Sequence, residues 1–83
     1  MKEILVTIFV LPLNQEFDLF LPINIKVQDA LQLIQTNIVE LSDGNYVVNP
    51  QAMLYSEVAG KIINPNNIVK YSGLKNGCKV LLK

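Results

Sequence analysis

The first part of the chain carries two apolar stretches with the residue pattern of β-strands. Residues 3–11 are dominated by β-branched side chains, a turn-forming Pro-Leu-Asn-Gln sequence follows, and residues 16–21 then alternate with a period of two. The face of the second strand that we expect to point into the core carries Phe17, Leu19 and Leu21. Phe20 is left on the opposite face. The two strands are therefore predicted to form a hairpin.

The next stretch has the three- and four-residue spacing of an amphipathic helix. Pro22 ends the second strand, Asn24 has the side chain of a helix N-cap, and a Ser-Asp-Gly-Asn sequence breaks the pattern after the helix. The apolar stripe consists of Val27, Ala30, Leu31, Ile34, Ile38 and Leu41. The opposite side, which we expect to be solvated, carries Gln28, Gln32, Gln35 and Glu40. One helix is predicted to pack on the sheet from one side.

Short apolar segments between turn residues make up the second half of the chain. Pro50 excludes one long central strand there, since proline cannot donate to a sheet ladder. Further strands are predicted at residues 53–55, 61–63 and 78–82. Asn76-Gly77 provides the tight turn before the last of them. The helix crossover returns the chain so that the last strand can lie parallel to the first, with both in the centre of the sheet.

Length and composition agree with one folded domain of the α+β class. The chain has 83 residues, of which 51% are hydrophobic and 17% are charged. Residues 1–83 can therefore build one modest core, and they leave no room for a second domain. The predicted architecture is a mixed sheet of four to five strands with one helix packed on one face.

The polar residue types remove several classes of function. Seven lysines balance seven acids, and the chain has no arginine and no histidine. A neutral chain without guanidinium groups has no basic field for a phosphate backbone, so no nucleic-acid partner is expected. Histidine is the usual general base and the commonest metal ligand. Its absence leads us to expect no enzyme, no cofactor and no metal site.

Cysteine usage and hydropathy bear on the compartment. Cys78 is the single cysteine, which excludes an internal disulfide and is typical of a reducing compartment. We assign it no chemistry. The apolar run at residues 4–13 is far too short to cross a bilayer. We therefore expect a cytoplasmic protein that does not insert directly into the membrane.

The order of the elements and one ungapped stretch resemble ubiquitin. The stretch from Gly60 to Leu74 is similar to the segment of ubiquitin that runs from a Gly-Lys pair through a loop and a short turn to an apolar anchor. The resemblance implies a ubiquitin-like β-grasp. Its core would include Val69, Leu74, Val80 and Leu82.

A small bacterial family of ubiquitin-like proteins is more similar still. Residues 17–22 match the FDL-x-L-P second strand of the YukD/EsaB family, and residues 73–77 match its GL-x-NG turn before a terminal apolar strand. These proteins accompany WXG-type (type VII, ESX-like) secretion systems. The resemblance implies a cytoplasmic, non-catalytic accessory protein whose protein partner is a membrane-embedded component of that machinery. A shared fold alone does not fix function.

The outer face of the sheet is the candidate interaction site. The first strand is expected to point Ile4, Val6 and Ile8 inward. The residues left on the outer face are then Leu5, Thr7, Phe9, Phe20, Leu54 and Leu81. An exposed apolar patch of several residues often marks a protein interface. A register shifted by one residue would exchange the two faces, and cover by Tyr46 or Val47 would remove part of the patch.

Two alternatives to a secretion accessory stay open. Ubiquitin and sulfur-carrier proteins need a flexible Gly-Gly tail that can enter an adenylating enzyme. The sequence ends at Leu82-Lys83, so we expect no conjugation. The first alternative is a modifier whose tail is missing or exposed by processing. The second is a self-associating β-grasp domain whose outer face forms a homodimer.

Overall fold

A five-stranded mixed sheet with one helix across one face makes up the computed structural model, which describes residues 2–83. The helix α1 spans Val27–Leu41, and short 3₁₀ helices lie at Leu11–Leu13 and Val69–Tyr71. The strands are β1 (Glu3–Val10), β2 (Gln15–Pro22), β3 (Leu54–Ser56), β4 (Lys61–Ile62) and β5 (Cys78–Leu82). Their order is β2-β1-β5-β3-β4, with β1 and β5 parallel to each other. The predicted α+β architecture is confirmed.

The hairpin of β1 and β2 has the faces that the alternation predicts. Leu5 pairs with Phe20 across the two antiparallel strands. Every second residue of β1 is buried, namely Ile4, Val6, Ile8 and Val10. Asn14 closes the turn at a φ of 53°, a left-handed conformation that asparagine tolerates, and its N–H donates to the Leu11 carbonyl. The hairpin therefore points one apolar side into the core.

The core lies between α1 and the inner face of the sheet. Its largest fully buried side chains are Ile8, Leu21, Ile34, Ile38, Leu54, Leu82, Val6, Val10, Val27 and Val69. The four core positions predicted near the end of the chain, Val69, Leu74, Val80 and Leu82, are all buried. Both layers contribute apolar side chains, so removal of apolar area from water is the main source of stability.

The start of α1 is held by backbone groups from a distant loop. The predicted N-cap, Asn24, is wrong, because Lys26 occupies the N-cap position and makes no side-chain cap hydrogen bond. The N–H groups of the first two helical residues donate to the carbonyls of Asn67 and Pro65, at 2.8 and 3.0 Å. The first N–H groups of a helix have no acceptor within the helix itself. Here the loop carbonyls accept from two of them, so no capping side chain is needed for these two donors.

Two positions of α1 differ in burial from the prediction. Leu41 is 59% exposed, and the buried stripe of the helix ends at Ile38. Gln35 is 5% exposed, because the loop after the helix folds back beside it. The Gln35 Oε1 accepts hydrogen bonds from the Tyr46 hydroxyl at 2.8 Å and from the Asn49 N–H at 2.7 Å. Gln35 thus ties the loop to the helix.

The turn before β5 also holds the start of β1. Gly77 has a φ of 85°, which residues with a side chain rarely adopt, and its N–H donates to the Leu5 carbonyl at 2.7 Å. The Asn76 Oδ1 accepts from the Leu5 N–H at 2.8 Å. The structural role predicted for Asn76-Gly77 is confirmed. The two bonds fix the start of β5 beside β1.

Candidate protein-interaction face

The outer face of the sheet, opposite α1, carries three rows of side chains that run across the strands. The strand registers define these rows, because paired residues in neighbouring strands point to the same side. The first row contains Phe20 and Leu5, the second contains Asp18, Thr7 and Lys79, and the third contains Glu16, Phe9, Leu81, Tyr55 and Ile62. The predicted face residues that lie here are Leu5, Thr7, Phe9, Phe20 and Leu81.

The middle row is polar, and its groups already have partners. The Thr7 hydroxyl donates to the Asp18 carboxylate at 2.7 Å. The Lys79 ammonium lies 3.0 Å from the Glu16 carboxylate and 6.0 Å from the centroid of the Phe9 ring. Exposed ion pairs of this kind add little to stability. The main consequence of the row is that it separates two apolar areas.

Apolar side chains are accessible at both ends of the face. Phe20 is 66% exposed on the edge strand β2, beside the half-buried Leu5. At the other end, a shallow depression of about 530 Å³ is lined by Phe9, Leu11, Tyr55, Glu57, Lys79 and Leu81. Ile62, which pairs with Tyr55, is 48% exposed. The face therefore offers two apolar areas and not one continuous patch.

Leu54 does not belong to the outer face. It pairs with the core residue Leu82 and is fully buried, so its predicted outward orientation is wrong. The next pair, Tyr55 with Leu81, points outward instead. The three-residue strand β3 is too short for its alternation to indicate a face, and its orientation follows from its pairing with β5. For the same reason Tyr55 and Ile62 could not be assigned to the face from the sequence.

Loop residues leave the outer face uncovered in the described part of the chain. Tyr46 is buried in the core, where its hydroxyl donates to Gln35 of α1 on the inner side of the sheet. Burial raises the pKa of Tyr46 above its ordinary value of 10.0. Val47 is 82% exposed. The alternative in which these two residues cover the patch is therefore wrong, as is the alternative of a shifted register.

The remaining groups with chemical potential lie apart from one another. Within residues 2–83, no three histidine, cysteine or acidic side chains are close enough together to hold a metal ion. Cys78 is partly buried against the core. No helix in the described part of the chain has both the length and the apolar character needed to cross a membrane.

Solved structures of the same shape share little sequence with this chain. No protein-family model and no curated protein sequence matches it. A structure described as molecular mimicry of SUMO that promotes DNA repair has a TM-score of 0.74 at 20% identity, over 100% of this chain and 92% of that one. The ubiquitin-like domain of EccD5 from Mycobacterium xenopi has a TM-score of 0.68 at 19% identity, over 100% and 94% of the two chains. The chain has the ubiquitin-like β-grasp fold.

The ubiquitin-like fold of this chain also has a counterpart in an inner membrane complex. A chain of an ESX-5 inner membrane complex free of MycP5 has a TM-score of 0.71 at 12% identity. The match covers 100% of this chain but 21% of that chain, so this chain spans about a fifth of the length of its counterpart. At these identities the likeness concerns the fold.

Proposed function

We propose that this chain is a non-catalytic, ubiquitin-like interaction module that acts in the bacterial cytoplasm as an accessory of a type VII (ESX-like) secretion system. It binds a membrane-embedded component of that system through the outer face of its sheet. The observation that carries the binding role is Phe20, a large aromatic side chain that is 66% exposed on the edge strand β2. Burial of such a side chain against a partner contributes about 1.5 to 3 kcal/mol.

The assignment to secretion rests on two lines of support. The FDL-x-L-P and GL-x-NG motifs resemble those of the YukD/EsaB family. A ubiquitin-like domain with the same fold is present in EccD5, and a chain of the ESX-5 inner membrane complex has the same shape over the whole of this one. We carry this association over to the present chain.

The geometry of the face suggests how the contact forms. Phe20 and Leu5 supply an apolar area at the edge strand, where a partner side chain can cover them without moving the backbone. The Thr7–Asp18 and Lys79–Glu16 pairs already have their partners on the sheet. A partner protein that leaves these polar pairs exposed to water therefore has little desolvation cost to overcome there. Phe20 would then be the main energetic contact, in the way that a few aromatic residues dominate most interfaces.

The test is binding of the purified chain to the detergent-solubilised membrane complex of the type VII system from the same organism. The native chain is expected to bind. The Phe20→Asp and Phe20→Thr variants are expected to bind about thirtyfold more weakly, which corresponds to a hot-spot loss of about 2 kcal/mol. Val47→Asp, at an exposed apolar position off the sheet, serves as the control and keeps native affinity.

Three results would contradict the proposal. Failure of the native chain to bind the complex would rule out the secretion role. Native affinity of both Phe20 variants would show that the outer face is not the contact surface. Threonine has high strand propensity, so Phe20→Thr should not disturb β2 itself. Loss of the native far-UV circular dichroism spectrum in this variant would therefore mean that Phe20 is part of the core.

A further inference from the structure

A second surface, which adjoins the outer face at Lys79 and Ile62, lies where the sheet has an open edge beside β5. Lys83 and Met53 exchange both of their backbone hydrogen bonds at 3.0 Å, so the polar groups of Lys83 face β3. Residues two apart in a strand face the same way, and Leu81 accordingly pairs with Tyr55. The next residue that faces this side is Lys79.

Lys79 has no strand opposite it on that side. β3 ends at Ser56, and the chain then leaves the sheet in a turn in which the Gly60 N–H donates to the Ser56 carbonyl at 2.8 Å. The β3–β5 ladder stops at Leu81, and no loop residue between 2 and 83 bonds the Lys79 N–H or carbonyl. One backbone donor and one backbone acceptor are therefore free to pair with an added strand.

A cavity of about 570 Å³ lies along this open edge. We call it the β5 notch. Its apolar walls come from Val58, Ala59, Ile62, Ile63, Leu74 and Val80. Val58 is 97% exposed, although an isolated turn has no structural need for valine at such a position. The notch thus combines open backbone groups with apolar surface that water covers in the free chain.

The charges that line the β5 notch are all positive. Lys61, Lys75 and Lys79 border it, and no aspartate or glutamate does so within residues 2–83. The Lys79 ammonium forms an ion pair with the Glu16 carboxylate on the outer face. Lys61 and Lys75 are exposed and have no carboxylate partner within 4 Å in the described part of the chain. Because the chain as a whole is neutral, this positive field is local.

We infer that the β5 notch binds an extended peptide segment of a partner protein that is rich in acidic and β-branched residues. The segment pairs its backbone with the N–H and carbonyl of Lys79, places carboxylates beside Lys61 and Lys75, and covers Val58 and Ile62 with its apolar side chains. A free phosphate or a lipid headgroup would use the lysines but not the open backbone or the apolar walls. This inference does not rest on the proposed function.

The first experiment selects ligands for the 83-residue chain from a phage-displayed library of random linear peptides. Enriched peptides are expected to combine aspartate or glutamate with valine, isoleucine or threonine. In fluorescence anisotropy, the Lys61→Glu/Lys75→Glu variant is expected to bind them about tenfold more weakly, and Lys61→Gln/Lys75→Gln by a smaller factor. Lys70→Glu, an exposed lysine outside the notch, is the control and binds as the native chain does.

The second experiment addresses the backbone pairing directly. In the free chain, the Lys79 amide is expected to exchange with solvent much faster than the Val80 amide, which faces β1. Addition of an enriched peptide is expected to slow exchange at Lys79. Slow exchange of Lys79 in the free chain would show that the edge is closed and would overturn the inference.

Other outcomes also overturn it. These are a library that yields no enriched peptide, enriched peptides without acidic residues, and affinities that the Lys61 and Lys75 variants leave unchanged. Binding of inorganic phosphate or of phosphatidylglycerol vesicles at these lysines, with no peptide binding, would assign the notch to a different ligand. A rise in mass with concentration in light scattering, lost on Lys61→Glu, would assign it to a second copy of this chain.

Discussion

Gln35 provides a sharp test of how the loop after α1 is held. Its Oε1 accepts two hydrogen bonds, from the buried Tyr46 hydroxyl and from the Asn49 N–H. Gln35→Met keeps the length and approximate volume of the side chain but removes the acceptor. The substitution therefore isolates the polar contribution from the packing contribution.

The expected cost follows from the surroundings of the two donors. The Tyr46 side chain is 6% exposed, so its hydroxyl loses its acceptor where water has little access, at a cost of about 1 to 3 kcal/mol. Asn49 is exposed, so water can accept from its N–H in place of Gln35, and the loss of this bond costs about 0.5 kcal/mol of stability. The sum is about 1.5 to 3.5 kcal/mol. A domain of this length has about 4 to 12 kcal/mol in total, so the loss is large.

The measurement is urea unfolding followed by far-UV circular dichroism, with equal m-values for all variants. Gln35→Met is expected to lower the free energy of unfolding by about 1.5 to 3.5 kcal/mol and the melting temperature by about 6 °C or more. Tyr46→Phe is expected to cost about 1 kcal/mol, because Gln35 keeps its bond to Asn49. The double variant should cost less than the sum, since no buried donor is then left without an acceptor.

Gln32→Met is the matched control on the same helix. Gln32 is exposed, and its substitution is expected to change the free energy of unfolding by less than about 0.5 kcal/mol. The reasoning is refuted if Gln35→Met is as neutral as Gln32→Met, or if the effects of Gln35→Met and Tyr46→Phe are additive. Either result would mean that the two hydrogen bonds do not hold the loop.

Two further predictions concern the core. Because Leu54 is fully buried, Leu54→Ala is expected to lower the free energy of unfolding in urea by about 2 to 5 kcal/mol. A loss below about 1 kcal/mol would mean that Leu54 lies on the outer face after all. Burial raises the pKa of Tyr46, so the folded state favours the neutral phenol; the resulting stability is present below about pH 10 and is lost as the pH rises through the raised pKa. As the pH rises above about 10, the native chain should lose more stability than Tyr46→Phe, and parallel losses would contradict the assignment.

The parts of the fold that local patterns predict are those with long periodic runs. β1, β2 and α1 have eight, eight and fifteen residues, enough for a period of two or of 3.6 to appear clearly. β3 and β4 have three and two residues. Their faces depend on pairing with β5, which is distant in sequence. This dependence explains the wrong orientation predicted for Leu54.

The burial of Gln35 illustrates a second limit. A glutamine on the polar side of an amphipathic pattern is solvated in most helices, and nothing in the local sequence distinguishes Gln35 from Gln32. The difference arises because Tyr46 and Asn49 fold back against one of them. The start of α1 is similar, since the carbonyls of Asn67 and Pro65 replace a local cap. In both cases a tertiary partner supplies what the local sequence lacks.

The two apolar areas of the outer face therefore differ in what holds them in place. Phe20 and Leu5 lie on the hairpin, whose register is set by a short local turn. The area around Tyr55 and Leu81 also depends on the pairing of β3 with β5, which turns Leu54 inward and Tyr55 outward. Weakening of the β3–β5 pairing would remove Tyr55 and Ile62 from the second area and leave the first intact. Phe20 is thus the part of the face whose exposure depends least on the rest of the fold, which is why it is the most informative residue for testing a binding role.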